Sequence, residues 1–555
     1  MRRLFLGLFL VMVALRSHAQ EAALGPGAKC SIEGQVVKAG NGEPLKKARV
    51  TLRKAEGRDQ PNTTATDTDG RFVLKDIEPG RYQLWVERNG YVRQEYGQRN
   101  PNRPGTTLTL QKGQRVRDVL FRLVPSAVIV GRVVDEDQEP LPSVQVQALR
   151  YRYVQGKQET VFVAGASTND LGEYRLYGLA PGRYFLSATY RPGTMFYGSS
   201  VVVRRGDSEA DEGYAPTYYP GTNDVARATS LELRAGEEVG GMDFTLLPTR
   251  TVRVRGRVLN AVTGGTGRGA TVMLTPRERS YSFFLSRNQT PVEDAQGTFE
   301  LRGVTPGSYT ITAMWWEDGK SYAARQPLDV GKADAQGINL VIAPGIDLSG
   351  RLLIEGKADI PLADMRIHLW PSEDSMGMGG AEATVKSDGT FLLQNVADDA
   401  YRIFVGNLPP DYYLKAATLG PENVLEKGLD IRHGQDLSRL ELVVSSAGGR
   451  IEGQALTEEQ LPATGCIVAL IPEPRYRSQT AFFKSSTTDQ FGRFTLRGIP
   501  PGEYKLFAWD DIEPGAYQNP DFLRPYEQKG KSVHVDEGGR VTIELRLIRG
   551  TGSES

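Results

Sequence analysis

Cysteine and histidine are nearly missing. Two cysteines in 555 residues exclude a disulfide-dense scaffold, and four histidines leave little for metal chemistry. Charge of either sign is not in excess, since 67 Lys and Arg balance 67 Asp and Glu. A general nucleic-acid binder needs a basic surplus along its binding face, so that class is excluded. After the first fifteen residues no stretch is long and apolar enough for a membrane helix. Disorder is excluded by the 39% apolar content, while 62 Gly and 32 Pro announce a turn-rich chain. At roughly 100–200 residues per domain, the length implies three to five domains.

The N-terminus has three parts: basic Arg2 and Arg3, an apolar run from Leu4 to Leu15, and Ser17-His18-Ala19 with small residues at −3 and −1. This is the pattern of a secretory signal peptide over residues 1–19, cut after Ala19. No cysteine directly follows the apolar run, so a lipid anchor is not indicated. The expected location is secreted, periplasmic or cell-surface. Cys30 and Cys466 lie near opposite ends of the chain and are expected to be lone, partly buried thiols, with a bridge between them as the alternative.

One pattern recurs five times: an acidic turn, Gly, an aromatic residue, Leu, then a tight turn and Tyr. It reads Asp69-Gly70-Arg71-Phe72-Val73-Leu74 followed by Pro79-Gly80-Arg81-Tyr82. It returns at Gly172, Tyr174, Leu176 and Tyr184, and at Gly297, Phe299, Leu301 and Tyr309. The last copies hold Gly389, Phe391, Leu393 and Tyr401, then Gly492, Phe494, Leu496 and Tyr504. From Gly to Tyr is twelve residues in every copy, which fixes the repeat.

Upstream of each lies an apolar-x-Gly-x-apolar strand, centred on Gly34, Gly131, Gly256, Gly350 and Gly453. Each copy ends in strict alternation, the period of a half-buried strand. The inward sets are Val119, Phe121, Leu123; Met242, Phe244, Leu246; Ile338, Leu340, Ile342; Leu440, Leu442, Val444; and Ile543, Leu545, Leu547. With strand-sized runs and no long helical period, the fold class is all-β: five tandem Greek-key β-sandwich domains of about 100 residues. The expected bounds are 30–125, 126–249, 250–344, 345–445 and 446–549, with Pro125, Pro248 and Pro344 at three junctions.

These motifs together resemble the carboxypeptidase regulatory-like domain. The resemblance implies a transthyretin-like sandwich of about seven strands, grouped with carbohydrate-binding-like folds, and it covers essentially all of residues 30–549. Tandem arrays of this kind occur on exported bacterial proteins. The fourth copy departs from the pattern, with Asp398-Asp399 in place of Pro-Gly.

The family name invites a zinc-peptidase reading, and the residues do not sustain it. His534-Val535-Asp536-Glu537 has a ligand-like spacing, but no histidine follows it, and three protein ligands are required. Gly530-Lys531-Ser532 ends like a P-loop, yet Pro525 stands where its first Gly belongs. No nucleophile elbow is present. Neither a metal nor any other cofactor is implied, and no catalytic residue is assigned; a hydrolase built on an unrecognised pair of carboxylates is a second alternative.

Three units carry a Tyr-rich, Pro/Gly-rich connection before their last strands. These hold Tyr96 in the first unit, Tyr214, Tyr218 and Tyr219 in the second, and Tyr517, Phe522 and Tyr526 in the fifth. The second unit is also the longest, with 125 residues between its turn Gly and the next against 92 to 103 elsewhere. Long connections on rigid sandwiches are where function tends to sit, and open aromatic faces stack on sugar rings. Trp315-Trp316 adds a candidate, because neighbours on a strand face opposite ways and Trp316 can point outward. The competing expectation is that the tyrosines pack over sandwich edges or between units. Charge is segregated as well: residues 30–124 carry net +7 and residues 346–444 net −7. The function expected is a non-enzymatic, exported binding or structural module array, with carbohydrate binding through the Tyr-rich loops as the alternative. The partner would be a glycan or a cell-surface protein, not nucleic acid.

Overall fold

The computed structural model describes residues 29–550 apart from 56–59, 191–211, 278–287, 318–319, 358–359, 373–379, 432–438 and 478. The proposed signal peptide lies outside the described residues. Strand pairing sorts the described chain into five sets, and no strand of one set pairs with a strand of another. Within each set two main sheets face one another over one main apolar cluster, and the second set adds a two-stranded sheet of Glu212–Tyr214 with Pro248–Arg250. Among the described residues there are two α-helices, Val424–Lys427 and Pro520–Leu523, of four residues each. No helix among the described residues is long and apolar enough to cross a membrane. The all-β sandwich class is what the sequence predicts.

The first set shows the plan. Strand Cys30–Lys38 lies between Arg71–Ile77, antiparallel, and the final strand Arg115–Leu123, parallel. Facing it, Arg49–Lys54 pairs with Asn62–Ala65 and with Gly80–Glu87. The alternating final strands supply the core as predicted: Phe121, Phe244, Leu340, Leu442 and Leu545 are all buried, while Met242 and Leu547 are only partly so.

The two halves of the repeat motif explain one another. A Cβ on Gly34 would stand 2.2 Å from the Val119 carbonyl oxygen and 2.7 Å from the Phe72 ring. Gly256 and Gly453 meet Phe299 with Ile338, and Phe494 with Ile543, in the same way. Glycine on the first strand therefore lets the motif aromatic lie across it while the last strand closes in. The turn works through an Asx arrangement three residues ahead of its glycine. Asp67 Oδ1 accepts from the amides of Asp69 (3.0 Å) and Arg71 (2.8 Å), and Asn169 and Asp489 do likewise. The motif tyrosine donates its O–H to the carbonyl four residues back, as Tyr82 to Glu78 and Tyr504 to Pro500, both at 2.8 Å. Burial holds the Tyr504 phenol well above its ordinary pKa.

Candidate functional site

The Tyr-rich connections have different fates. In the fifth unit the connection folds into a small core of its own. Tyr517 and Tyr526 are buried with Leu523 around Trp509, which has no exposed surface, and Phe522 packs against them. Tyr517 donates to Ser485 Oγ at 3.0 Å, and the Trp509 ring stacks on Phe507 with centroids 4.9 Å apart. These three aromatics are therefore not an open sugar platform, a correction to the expectation above. The sequence carried a missed sign: Leu506-Phe507-Ala508-Trp509 is apolar without a break, and a strand of that kind has both faces covered.

In the first unit Tyr96 is half-buried against its own core, and its phenol pKa is raised by burial and by nearby Asp489. Its connection reaches the fifth unit, far away in sequence. Arg103, with 14% of its side chain exposed, forms ion pairs with Asp511 and with Glu513, the latter at 2.8 Å. Burial alone would lower the guanidinium pKa, but the two carboxylates more than reverse that and the net shift is upward. Thr109 and Gln490 exchange two hydrogen bonds, at 3.1 and 2.7 Å, and Arg99 donates to the Thr464 carbonyl at 2.9 Å. The second unit joins this contact: Asn102 donates to the Pro181 carbonyl, and Asn519 to that of Gly156. Phe522 lies 6.2 Å from Tyr153. The array thus folds back so that its first and last units touch.

In the second unit Tyr214, Tyr218 and Tyr219 are half-buried, not openly exposed. Tyr214 bonds Glu136 at 3.1 Å and packs edge-on to Tyr190, while Tyr219 sits edge-on to the buried Phe244 at 5.9 Å. Strand Thr217–Tyr218 is hydrogen-bonded to Ser187 and Ala188. Residues 191–211 of this long connection lie outside the described residues. The structure does not bring the sequence-predicted aromatics of the three units together into one site.

Trp316 is 55% exposed, while its neighbour Trp315 turns inward on Tyr322. A second open indole, Trp370, is 49% exposed beside Phe404, and sequence reading did not single it out. His534 lies on a strand between Glu503 (2.6 Å) and Asp536 (3.2 Å), whereas Glu537 turns away to Lys415 of the fourth unit at 2.9 Å. The ligand-like spacing of that segment is thereby divided between two surroundings. Cys30 and Cys466 are both free and buried, and burial pushes the Cys466 thiol up to about 11.

Residues 31–124 and 128–211 match the carboxypeptidase regulatory-like domain family. The chain is similar to the BOS complex subunit NOMO1 of Mus musculus, 22% identical over 498 residues, with 86% of this chain and 35% of that protein covered. It therefore spans about a third of the curated relative's length. Among solved structures it is similar to the Bacillus anthracis TIE protein, at 12% identity and TM-score 0.15, covering 76% of this chain and 74% of that one. A Streptococcal ancillary pilin aligns at 11% identity and TM-score 0.18, covering 57% of this chain and 99% of that one.

Proposed function

We propose that this chain, whose first two units are carboxypeptidase regulatory-like domains, is an exported, non-enzymatic array of β-sandwich modules that holds binding surfaces in a fixed arrangement. The observation that carries this reading is the use made of the repeat residues. The turn Asx, the first-strand glycine, the motif aromatic and the motif tyrosine all serve the sandwich itself, through the turn, packing and hydrogen-bond contacts described above. A repeat used in this way multiplies scaffold, and function on scaffolds is carried by surfaces particular to one unit. The contacts between units one, two and five further support a fixed arrangement. Basic Arg2 and Arg3, the apolar run and Ala19 support export. The test is to fractionate expressing cells and sequence the mature N-terminus, then to screen the purified chain against glycosidase, esterase and peptidase substrates. Export with no turnover fits the proposal; turnover by the pure protein refutes it.

A second reading, carbohydrate binding, is favoured by the two open indoles, Trp316 and Trp370. It moves the sugar platform from the Tyr-rich connections to sheet surfaces. Glycan-array binding that is lost in Trp370→Ala or Trp316→Ala with an unchanged melting temperature would support it.

A further inference from the structure

We propose that one corner of the first unit is a binding site for an acidic oligosaccharide of the uronate type; this rests on the binding-module reading above. An open recess of about 670 Å³ lies where the turn before strand Arg49–Lys54 meets the connection after strand Gly80–Glu87. Lys46, Lys47 and Arg49 line it from the first side, Arg88 and Arg93 from the second. Of these five cations only Arg93 forms an ion pair among the described residues, with Glu87 at 3.5 Å and Glu95 at 3.2 Å. Two guanidiniums are held by rings beneath them: Arg88 lies 5.2 Å from the Tyr91 centroid and Arg93 4.4 Å from that of Trp85. The stacked Arg88 guanidinium keeps its N–H edges free for a carboxylate, whereas those of Arg93 are turned to Glu87 and Glu95.

The fold itself does not require these charges, and the sister units show it. Thr66 Oγ1 accepts from the Ala48 amide and donates to the Leu45 carbonyl; Thr168 and Thr488 do the same for Val144 with Leu141 and for Cys466 with Ala463. That registers Lys46, Lys47 and Arg49 on Pro142, Ser143 and Gln145, and on Thr464, Gly465 and Ile467. The ladder likewise sets Arg88 on Tyr190 and on Asp510. Lys47 adopts a left-handed φ of 59°, as its counterparts Ser143 and Gly465 do at 62° and 67°.

The lining also selects the ligand. Four unneutralised cations call for more than one anionic group, and charge-assisted hydrogen bonds to carboxylates are the natural pairing. Glu87 and Asn89 lie in the same recess, suited to sugar hydroxyls and unfavourable to a densely charged phosphate or sulfate chain.

The experiment is calorimetric titration of the full chain with a defined oligogalacturonide, at low and at physiological salt. It is repeated for the triple variant Lys46→Gln, Lys47→Gln, Arg49→Gln and for Arg88→Gln alone. We expect saturable binding, weakened by salt and by at least about tenfold in the triple variant, whose melting temperature should be unchanged because Lys46, Lys47 and Arg49 are exposed. No binding, equal binding by the triple variant, or equal binding of the neutral reduced oligosaccharide overturns the proposal. Tighter binding of a sulfated oligosaccharide or of single-stranded DNA overturns the uronate assignment. Shortening of the oligosaccharide during the titration would refute the non-enzymatic reading while leaving the recess in place, so the two failures are separable.

Discussion

Arg103 is the sharpest test of the folded-back array. Its guanidinium links the first unit to Asp511 and Glu513 of the fifth, with the carboxylate side chains 27% and 37% exposed. Exposed pairs contribute about 0.2–1 kcal/mol, whereas truncating one partner of a fully buried pair costs about 3–5 kcal/mol. The intermediate burial here places Arg103→Ala at about 2 kcal/mol, or about 30-fold in the ratio of docked to undocked units. Contacts from Thr109 and Arg99 remain in the variant, so the interface loosens without being abolished. Hydrogen–deuterium exchange reads this directly. Amides in 97–109 and 511–519 should exchange faster by up to that factor, while those of strand Cys30–Lys38 stay protected, because each unit has its own core. Arg103→Lys should fall between, since lysine keeps the charge and loses the fork. Unchanged exchange in both segments would refute the clamp. Equal acceleration in Cys30–Lys38 would show that Arg103 supports its own unit and not the docking.

Three further outcomes follow from the packing. Gly453→Ala places a methyl 2.0 Å from the Ile543 carbonyl oxygen and 2.8 Å from the Phe494 ring, so urea unfolding of the fifth unit should show a loss of about 3 kcal/mol; a loss below about 1 kcal/mol would contradict the close-approach argument. Tyr504→Phe removes one buried hydrogen bond, to the Pro500 carbonyl, and should cost about 1 kcal/mol in the same assay. Lys484 forms no ion pair among the described residues, and burial lowers its pKa from an ordinary 10.5. The unfolded chain then holds the proton more tightly, so stability rises with pH between the depressed folded value and the unfolded one. Lys484→Met should raise the melting temperature at neutral pH and remove that rise; a destabilised variant would show that the amine has a partner.

The sandwiches were legible because their determinants are local. Asp67, Gly70 and Phe72 sit within six residues of one another, and each acts on the turn or on the strand beside it. Docking was not legible, since Arg103 and Asp511 stand 408 residues apart and carry no periodic mark. The fourth unit shows the same limit from the other side. Its Asp398-Asp399 breaks the Pro-Gly pattern, and only the structure shows Asp399 pairing with Arg325 of the third unit at 3.1 Å. The aromatics of the fifth unit were misjudged for a related reason: a ring in a loop announces contact without saying whether the contact is a ligand or the protein itself.

The parallel pairing of first and last strands also governs how the chain bears tension. In the first unit seven residue pairs join Cys30–Lys38 to Arg115–Leu123, and the fifth unit has seven between Gly449–Leu456 and Arg540–Arg546. A pull on the two ends of such a unit runs along both strands in opposite senses, so the ladder is sheared and its hydrogen bonds must fail together, not one after another. The second unit is built otherwise. Its last segment meets the first strand as two separate pairs, Glu238 and Val239 on Val128 and Ile129, then Phe244 and Thr245 on Val133 and Val134. Under load the ion pairs that join the first and last units would part at low force, the second sandwich would yield next, and the first and fifth would hold longer than it does.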